Sequence, residues 1–164
     1  MRKQSLSVVV LLASCQMARS EDGWSWRNPS PTGNLLRGVY FSGPSVGTIV
    51  GQYGTILRTS DGGVIWVSQD CETELALNGV FVFDTDNGIA VGENGVIVRT
   101  TDAGNSWLTQ TSGTTNTLWS VSLGDAYSGN AVGSNGTILR TTDRGVSWSA
   151  QVSGTTLALR GVHL

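Results

Sequence analysis

Asp, Arg and Trp recur in this chain at one fixed interval, so their chemistry has to be weighed first. Asp61, Asp102 and Asp143 stand 41 residues apart. A carboxylate at such a place can act as a general acid, or it can accept the N–H groups of a turn. An identical Asp followed two residues later by Gly63, Gly104 or Gly145 favours the turn, because Asp accepts from nearby backbone and Gly adopts positive φ angles. Trp66, Trp107 and Trp148 keep the same interval. An indole can stack on a sugar, yet strict recurrence points to packing between repeated units, where each ring buries a large apolar area. Arg58, Arg99 and Arg140 sit in otherwise apolar runs. Two readings stand for them: a row of guanidinium groups that grips carboxylates or backbone of a protein partner, or structural bonds to neighbouring carboxylates and turn carbonyls.

A second set is defined by difference. Arg37, Asn78, Trp119 and Arg160 occupy one position, the residue after a Leu, in four successive copies. A scaffold acts on all copies alike, so a site that changes type is where a specific surface can be written. Drift at an exposed position is the alternative. Arg37, Trp119 and Arg160 join the arginine row as candidate partner-binding residues.

Other chemistry finds little support. Asp84-Thr85-Asp86-Asn87-Gly88 begins like a calcium loop but lacks the downstream glutamate and is absent from the other copies, which favours a hairpin turn. His163 is the only histidine, and no Ser/His/Asp or metal constellation can be assembled around it. Cys71 replaces the Ser112 and Ser153 of the other copies and reads as a loop substitution. No metal, cofactor or small-molecule substrate is implied.

These residues have to be positioned by a repeat. Residues 51–66 return as 92–107 and 133–148, with eight of sixteen positions identical in all three. A regular period of this length marks a repeat architecture. Each unit divides into four strand candidates. The first runs over 36–41, 77–82, 118–123 and 159–164. The second covers 48–50 and its counterparts, the third is the Thr-Ile-Leu-Arg-Thr run after a Gly-x-x-Gly turn, and the fourth begins at the Trp. Asn94-Gly95 and Asn135-Gly136 supply the positive φ angles of a tight hairpin. Four short strands in about 40 residues form a β-propeller blade, whose apolar faces are covered by its neighbours. The fold class expected is therefore all-β: a propeller of four-stranded antiparallel blades.

Composition agrees. Twenty-two glycines and 13% charged residues in a chain of 164 suit many short strands and turns. A net charge of −2 offers no basic footprint for nucleic acid. Residues 1–14 read as a lipoprotein-type export signal, with Arg2 and Lys3 before a short apolar run. Leu12-Ala13-Ser14-Cys15 resembles the bacterial lipobox, in which the Cys15 thiol is acylated and anchors the chain to a membrane facing the periplasm or thylakoid lumen. The alternative is an ordinary secretory signal cut near Ala18. Residues 15–25 are a polar linker, and 26–164 hold repeats at about 36–76, 77–117 and 118–158 with a truncated fourth from 159. Trp26-Arg27-Asn28-Pro29 reads as a closing strand that precedes the first full unit. Three blades do not close a ring, so a fragment of a longer propeller and self-association into a complete ring are both open.

The turn and its tryptophan, Thr-x-Asp-x-Gly-x-Ser-Trp in the last two copies, resemble the Asp-box or BNR repeat. Ile65 departs from it in the first. The longer pattern Ala-Val-Gly-x-x-Gly-x-Ile-x-Arg-Thr-Thr-Asp-x-Gly-x-Ser-Trp resembles the propeller family of the photosystem II stability and assembly factor. That resemblance implies about seven blades in a complete chain. It also implies a non-enzymatic scaffold whose protein partner is a photosystem II reaction-centre subunit, to which the lipobox adds export and lipid anchoring. The competing expectation is an Asp-box carbohydrate-active protein, sialidase-like or glycoside hydrolase-like. Such enzymes need clustered Arg or carboxylates at the ring's mouth. Glu72, Glu74 and Glu93, the only glutamates of the repeat region, form no evident pair, so that active site would have to lie in a missing part.

Overall fold

A computed structural model describes residues 31–125 and 127–164. The proposed signal, Cys15, the linker and the leading strand at Trp26 lie outside the described residues. Twelve strands form three four-stranded antiparallel sheets in chain order. The first holds β1 (Leu36–Phe41), β2 (Gly47–Gly51), β3 (Ile56–Thr59) and β4 (Val67–Ser68). The second holds β5 (Leu77–Val82), β6 (Gly88–Gly92), β7 (Ile97–Thr100) and β8 (Leu108–Gln110). The third holds β9 (Leu118–Leu123), β10 (Gly129–Gly133), β11 (Ile138–Thr141) and β12 (Ser149–Gln151). These are three blades of a β-propeller, all-β as the sequence leads one to expect.

The second strand of the middle blade, β6, is apolar on both faces because a blade lies on each side of it. In β6, Ile89 and Val91 pack with Leu118, Val121 and Leu139 of the third blade. Ala90, between them in sequence, packs the other way with Val50 and Ile56 of the first. Alternate residues of a strand point to opposite faces, so one five-residue run serves two cores. Each buried Val, Leu or Ile side chain contributes about 1.5–3 kcal/mol.

At the centre, β5 lies between β1 and β9, and glycine sets the spacing. A Cβ on Gly38 would stand 2.9 Å from the Asn78 carbonyl oxygen, and one on Gly79 would stand 3.0 Å from that of Trp119. Neighbouring inner strands thus approach backbone to backbone. In the third blade the same position is Ser120, and its hydroxyl accepts the Val162 N–H at 3.3 Å. Ser122 likewise accepts the Leu164 N–H at 3.2 Å. Residues 159–164 therefore follow the flank of β9 without entering a sheet, which differs from the strand expected there.

Two other expectations are refined. The fourth strands begin one residue after the Trp. Trp107 is 1% exposed, and its backbone makes only an isolated parallel bridge with Cys71. The turn between the second and third strands holds paired positive φ angles in all three blades, but in the first the leading residue is Tyr53 (φ 55°) where Asn94 (53°) and Asn135 (54°) stand elsewhere. Exposure also differs along the chain. Leu36, Val39 and Phe41 are 42%, 61% and 44% exposed, whereas their counterparts Leu77, Val80 and Val82 are buried. Among the described residues nothing covers the outer flank of β1.

Candidate functional site

The Asp-box turns are built alike. In the second blade Thr100 Oγ1 donates to Asp102 Oδ1 at 2.8 Å and accepts the Gly104 N–H at 3.0 Å. Asp102 Oδ1 also accepts the Ser106 N–H at 3.0 Å, and Oδ2 accepts the Ser106 hydroxyl at 2.6 Å. Asp143 repeats this with Thr141 and Ser147. In the first blade Ile65 has no hydroxyl, and Asp61 keeps only the backbone N–H at 2.9 Å and the bond from Thr59. Hydrogen bonds to the charged form of a carboxylic acid lower its pKa. The Ser106 side chain and amide hold Asp102 below the ordinary carboxylate value, Ser147 does so for Asp143, and the Ile65 amide for Asp61. Every oxygen is committed to the turn. Gly63, Gly104 and Gly145 have φ of 90°, 81° and 78°.

Trp107 and Trp148 each pack against a core shared with the preceding blade, while the aromatic contact of Trp66 lies within its own blade. Trp148 Nε1 donates to the Gly145 carbonyl at 3.1 Å, Trp66 meets Phe41 edge to face with centroids 6.0 Å apart, and Trp107 packs in the core.

Of the arginine row, two members reach the following blade. An Arg58 Nη2 N–H donates to the Thr85 carbonyl, and Arg99 Nε donates to that of Arg144 at 2.9 Å. Both carbonyls belong to turns, so these guanidinium groups tie blade to blade at the face carrying the Asp-box loops. Arg140 is exposed.

The variable set is brought together at the opposite end of the inner strands. Arg37, Asn78 and Trp119 each fall where the first strand slips register against the second, between Leu36 and Gly38, Leu77 and Gly79, and Leu118 and Ser120. A bulge re-aims the side chain it carries. Here it turns three successive side chains into one cleft of about 500 Å³, completed by Glu93 and Arg160. Arg37 Nη1 donates to Asn78 Oδ1 at 2.7 Å and to Glu93 Oε1 at 2.8 Å. Asn78 Nδ2 donates to the Leu118 carbonyl at 2.9 Å, and Trp119 Nε1 to Ser134 Oγ at 3.1 Å. The Arg160 guanidinium lies over the Trp119 ring, 4.9 Å from its centroid. The cleft thus presents one arginine neutralised by Glu93, one arginine spread on an indole, an amide and an aromatic edge. Such a set recognises polar main chain and anionic groups. It holds no general acid–base pair.

Glu93 is the functional-site residue that sequence reasoning passed over. Its counterparts Gln52 and Ser134 do not share its charge, and its role shows only when Arg37, 56 residues away, is folded against it. Among the described residues no group of three or more His, Cys, Asp or Glu is placed to hold a metal.

Residues 18–163 match the family described as "Photosynthesis system II assembly factor YCF48". The chain belongs to that family. Among solved structures, one described as "YCF48 bound to D1 peptide" is similar with a TM-score of 0.68 and 26% identity, over 79% of this chain and 43% of that one. YCF48 from Cyanidioschyzon merolae gives 0.65 and 28%, over 77% and 42%. This chain therefore spans less than half the length of the YCF48 structures it resembles. An ancestral GH74 enzyme shares the fold at a TM-score of 0.58 and 16% identity, over 70% of this chain and 18% of that one. At that identity the likeness extends to the propeller alone. No curated protein matches the chain.

Proposed function

We propose that this chain is a non-catalytic docking module of photosystem II assembly, and that it holds a peptide of a reaction-centre subunit in the cleft lined by Arg37, Asn78, Glu93, Trp119 and Arg160. The observation that carries the reading is the likeness to YCF48 bound to D1 peptide. The physical support is the cleft itself: Arg37, Asn78 and Trp119 sit at bulges of the inner strands and Arg160 is stacked on the Trp119 ring, so less side-chain freedom is lost on binding. Arg and Trp are also the residue types that most often dominate protein interfaces. In the same proposal, the export signal and an acylated Cys15 hold the module at the membrane beside its partner.

The test is titration of a fluorescent D1-derived peptide into the full chain and into Trp119→Ala and Arg160→Gln. Each substitution should weaken capture by about tenfold or more, the order expected when an interface residue worth over 1 kcal/mol is truncated. Unchanged affinity in both variants would remove the cleft from the interface. For the anchor, Cys15→Ser should move the exported protein from the membrane fraction to the soluble one.

A further inference from the structure

The face opposite this cleft carries a second cavity, about 290 Å³ in volume, at the other end of the inner strands. One wall is aromatic: the Tyr40 and Phe81 centroids are 4.8 Å apart, and Phe81 and Phe83 6.2 Å. Asp84, Asp125 and Arg144 are the charged residues of its lining.

Arg144 is the anomaly. It occupies the Asp-box position that is Gly62 in the first blade and Ala103 in the second, and it holds φ at 64°. That left-handed region suits glycine and strains a long side chain. Its Nε is buried with no partner among the described residues, while its guanidinium stacks on Tyr127 at 4.6 Å from the ring centroid. The turn is pinned from both sides, since the Arg144 N–H donates to the Tyr127 carbonyl at 3.0 Å and its carbonyl accepts from Arg99. Ala103 holds the same turn at φ 61°, so the cost particular to Arg144 is its buried Nε without a partner, tolerated with the guanidinium beside an aromatic wall. Nothing in the repeat requires it, because the first blade makes the same turn with glycine.

The lining offers donors and acceptors together. Arg144 has no carboxylate within salt-bridge distance among the described residues. Asp125 uses Oδ1 for the Tyr127 and Ser128 amides, at 2.7 and 2.6 Å, and neither amide bond engages Oδ2. A purely anionic ligand would meet Asp84 and Asp125, and a purely cationic one would meet Arg144. A peptide main chain satisfies both, because it brings a carbonyl and an N–H side by side.

We propose that this cavity is a second peptide-recognition site, which takes one apolar side chain of an extended segment against Tyr40, Phe81 and Phe83 while Arg144 donates to the segment's carbonyl and Asp125 accepts its N–H. The site is independent of the bulge cleft and does not rest on the identity of the partner bound there.

The test uses N-acetylphenylalaninamide, which carries an apolar ring, a carbonyl and N–H groups without charge, titrated into the full chain and followed by NMR shifts. N-acetylglycinamide, which lacks the ring, is the control. The phenylalanine probe should saturate and shift resonances of Phe81 and Arg144, at an affinity at least about tenfold above the control. Arg144→Gly restores the residue that this turn favours, so it should leave the melting temperature unchanged or raised while weakening the probe about tenfold. Phe81→Ser, the residue of the third blade at this position, should do the same to binding. Equal affinity for the two probes would overturn the proposal. So would an Arg144→Gly variant that melts lower yet binds as before, since Arg144 would then serve the turn alone.

Discussion

Arg37 donates to Asn78 across 41 residues of sequence at 2.7 Å, so two residues at one position of the repeat, in adjacent blades, touch each other. Positional equivalence in a propeller becomes spatial adjacency at the inner strands. Variation among equivalent positions is therefore variation within one cleft.

The Asn78 side chain is 9% exposed at the residue level and bonded on both sides. Asn78→Leu should strand the Leu118 carbonyl and loosen Arg37. A loss of about 1–3 kcal/mol is expected for an unsatisfied buried group, read from the urea midpoint. An unchanged midpoint would show that the Asn78 bridges carry no net stability.

Thr100 is 2% exposed and links Asp102 to Gly104. Thr100→Val keeps the shape and removes three hydrogen bonds, so a loss of about 1–3 kcal/mol should follow. Thr59→Val should cost less, because the first-blade turn lacks the serine hydroxyl and is already looser. Thermal melts of the two variants decide the ranking.

Gly79→Ala places a methyl 3.0 Å from the Trp119 carbonyl oxygen and 3.1 Å from Ser120 Cα. Backbone cannot yield as a flexible side chain does, so the inner strands must separate. The expected cost is about 1–3 kcal/mol, as for overpacking elsewhere. Gly33→Ala, with nothing within 4 Å, is the control and should leave the melting temperature unchanged.

Acid should destabilise the fold through the Asp-box turns. The folded-state values of Asp61, Asp102 and Asp143 lie below the ordinary 3.8. Their contribution is present above the unfolded value and is lost as pH falls through the folded ones. Stability should hold from neutral pH to about 5 and then fall below about 4. The Asp61→Asn, Asp102→Asn, Asp143→Asn triple variant should show a flatter acid limb. A limb of unchanged slope would assign acid sensitivity to other carboxylates.

Trp107→Ala should destabilise more than Trp66→Ala or Trp148→Ala, by about 3–5 kcal/mol for a fully buried ring. Trp107 is fully buried, whereas Trp66 and Trp148 are half-buried. Equal losses at the three positions would mean that burial does not govern them.

The repeat interval, the four-strand unit and the glycine-bearing turns were legible because they depend on local chemistry repeated three times. Asp and Gly two residues apart make the same turn wherever they stand. Family membership was readable for the same reason, since its pattern lies inside one unit. Exposure was not readable. β1 and β5 are both built on the Leu-x-Gly-Val pattern, yet one is open and the other buried, because a strand's surroundings are set by which blade lies beside it.

The sequence by itself determined the period, the turns and the alternation that gives each blade two apolar faces, all consequences of residues near one another in the chain. Tertiary structure alone decided what the odd residues meet. It set Arg37 against Glu93, spread Arg160 on Trp119, turned Arg58 and Arg99 onto the next blade's carbonyls and stacked Arg144 on Tyr127. These pairings depend on the angle between neighbouring sheets and on bulges that redirect single side chains, and neither is encoded at any one position.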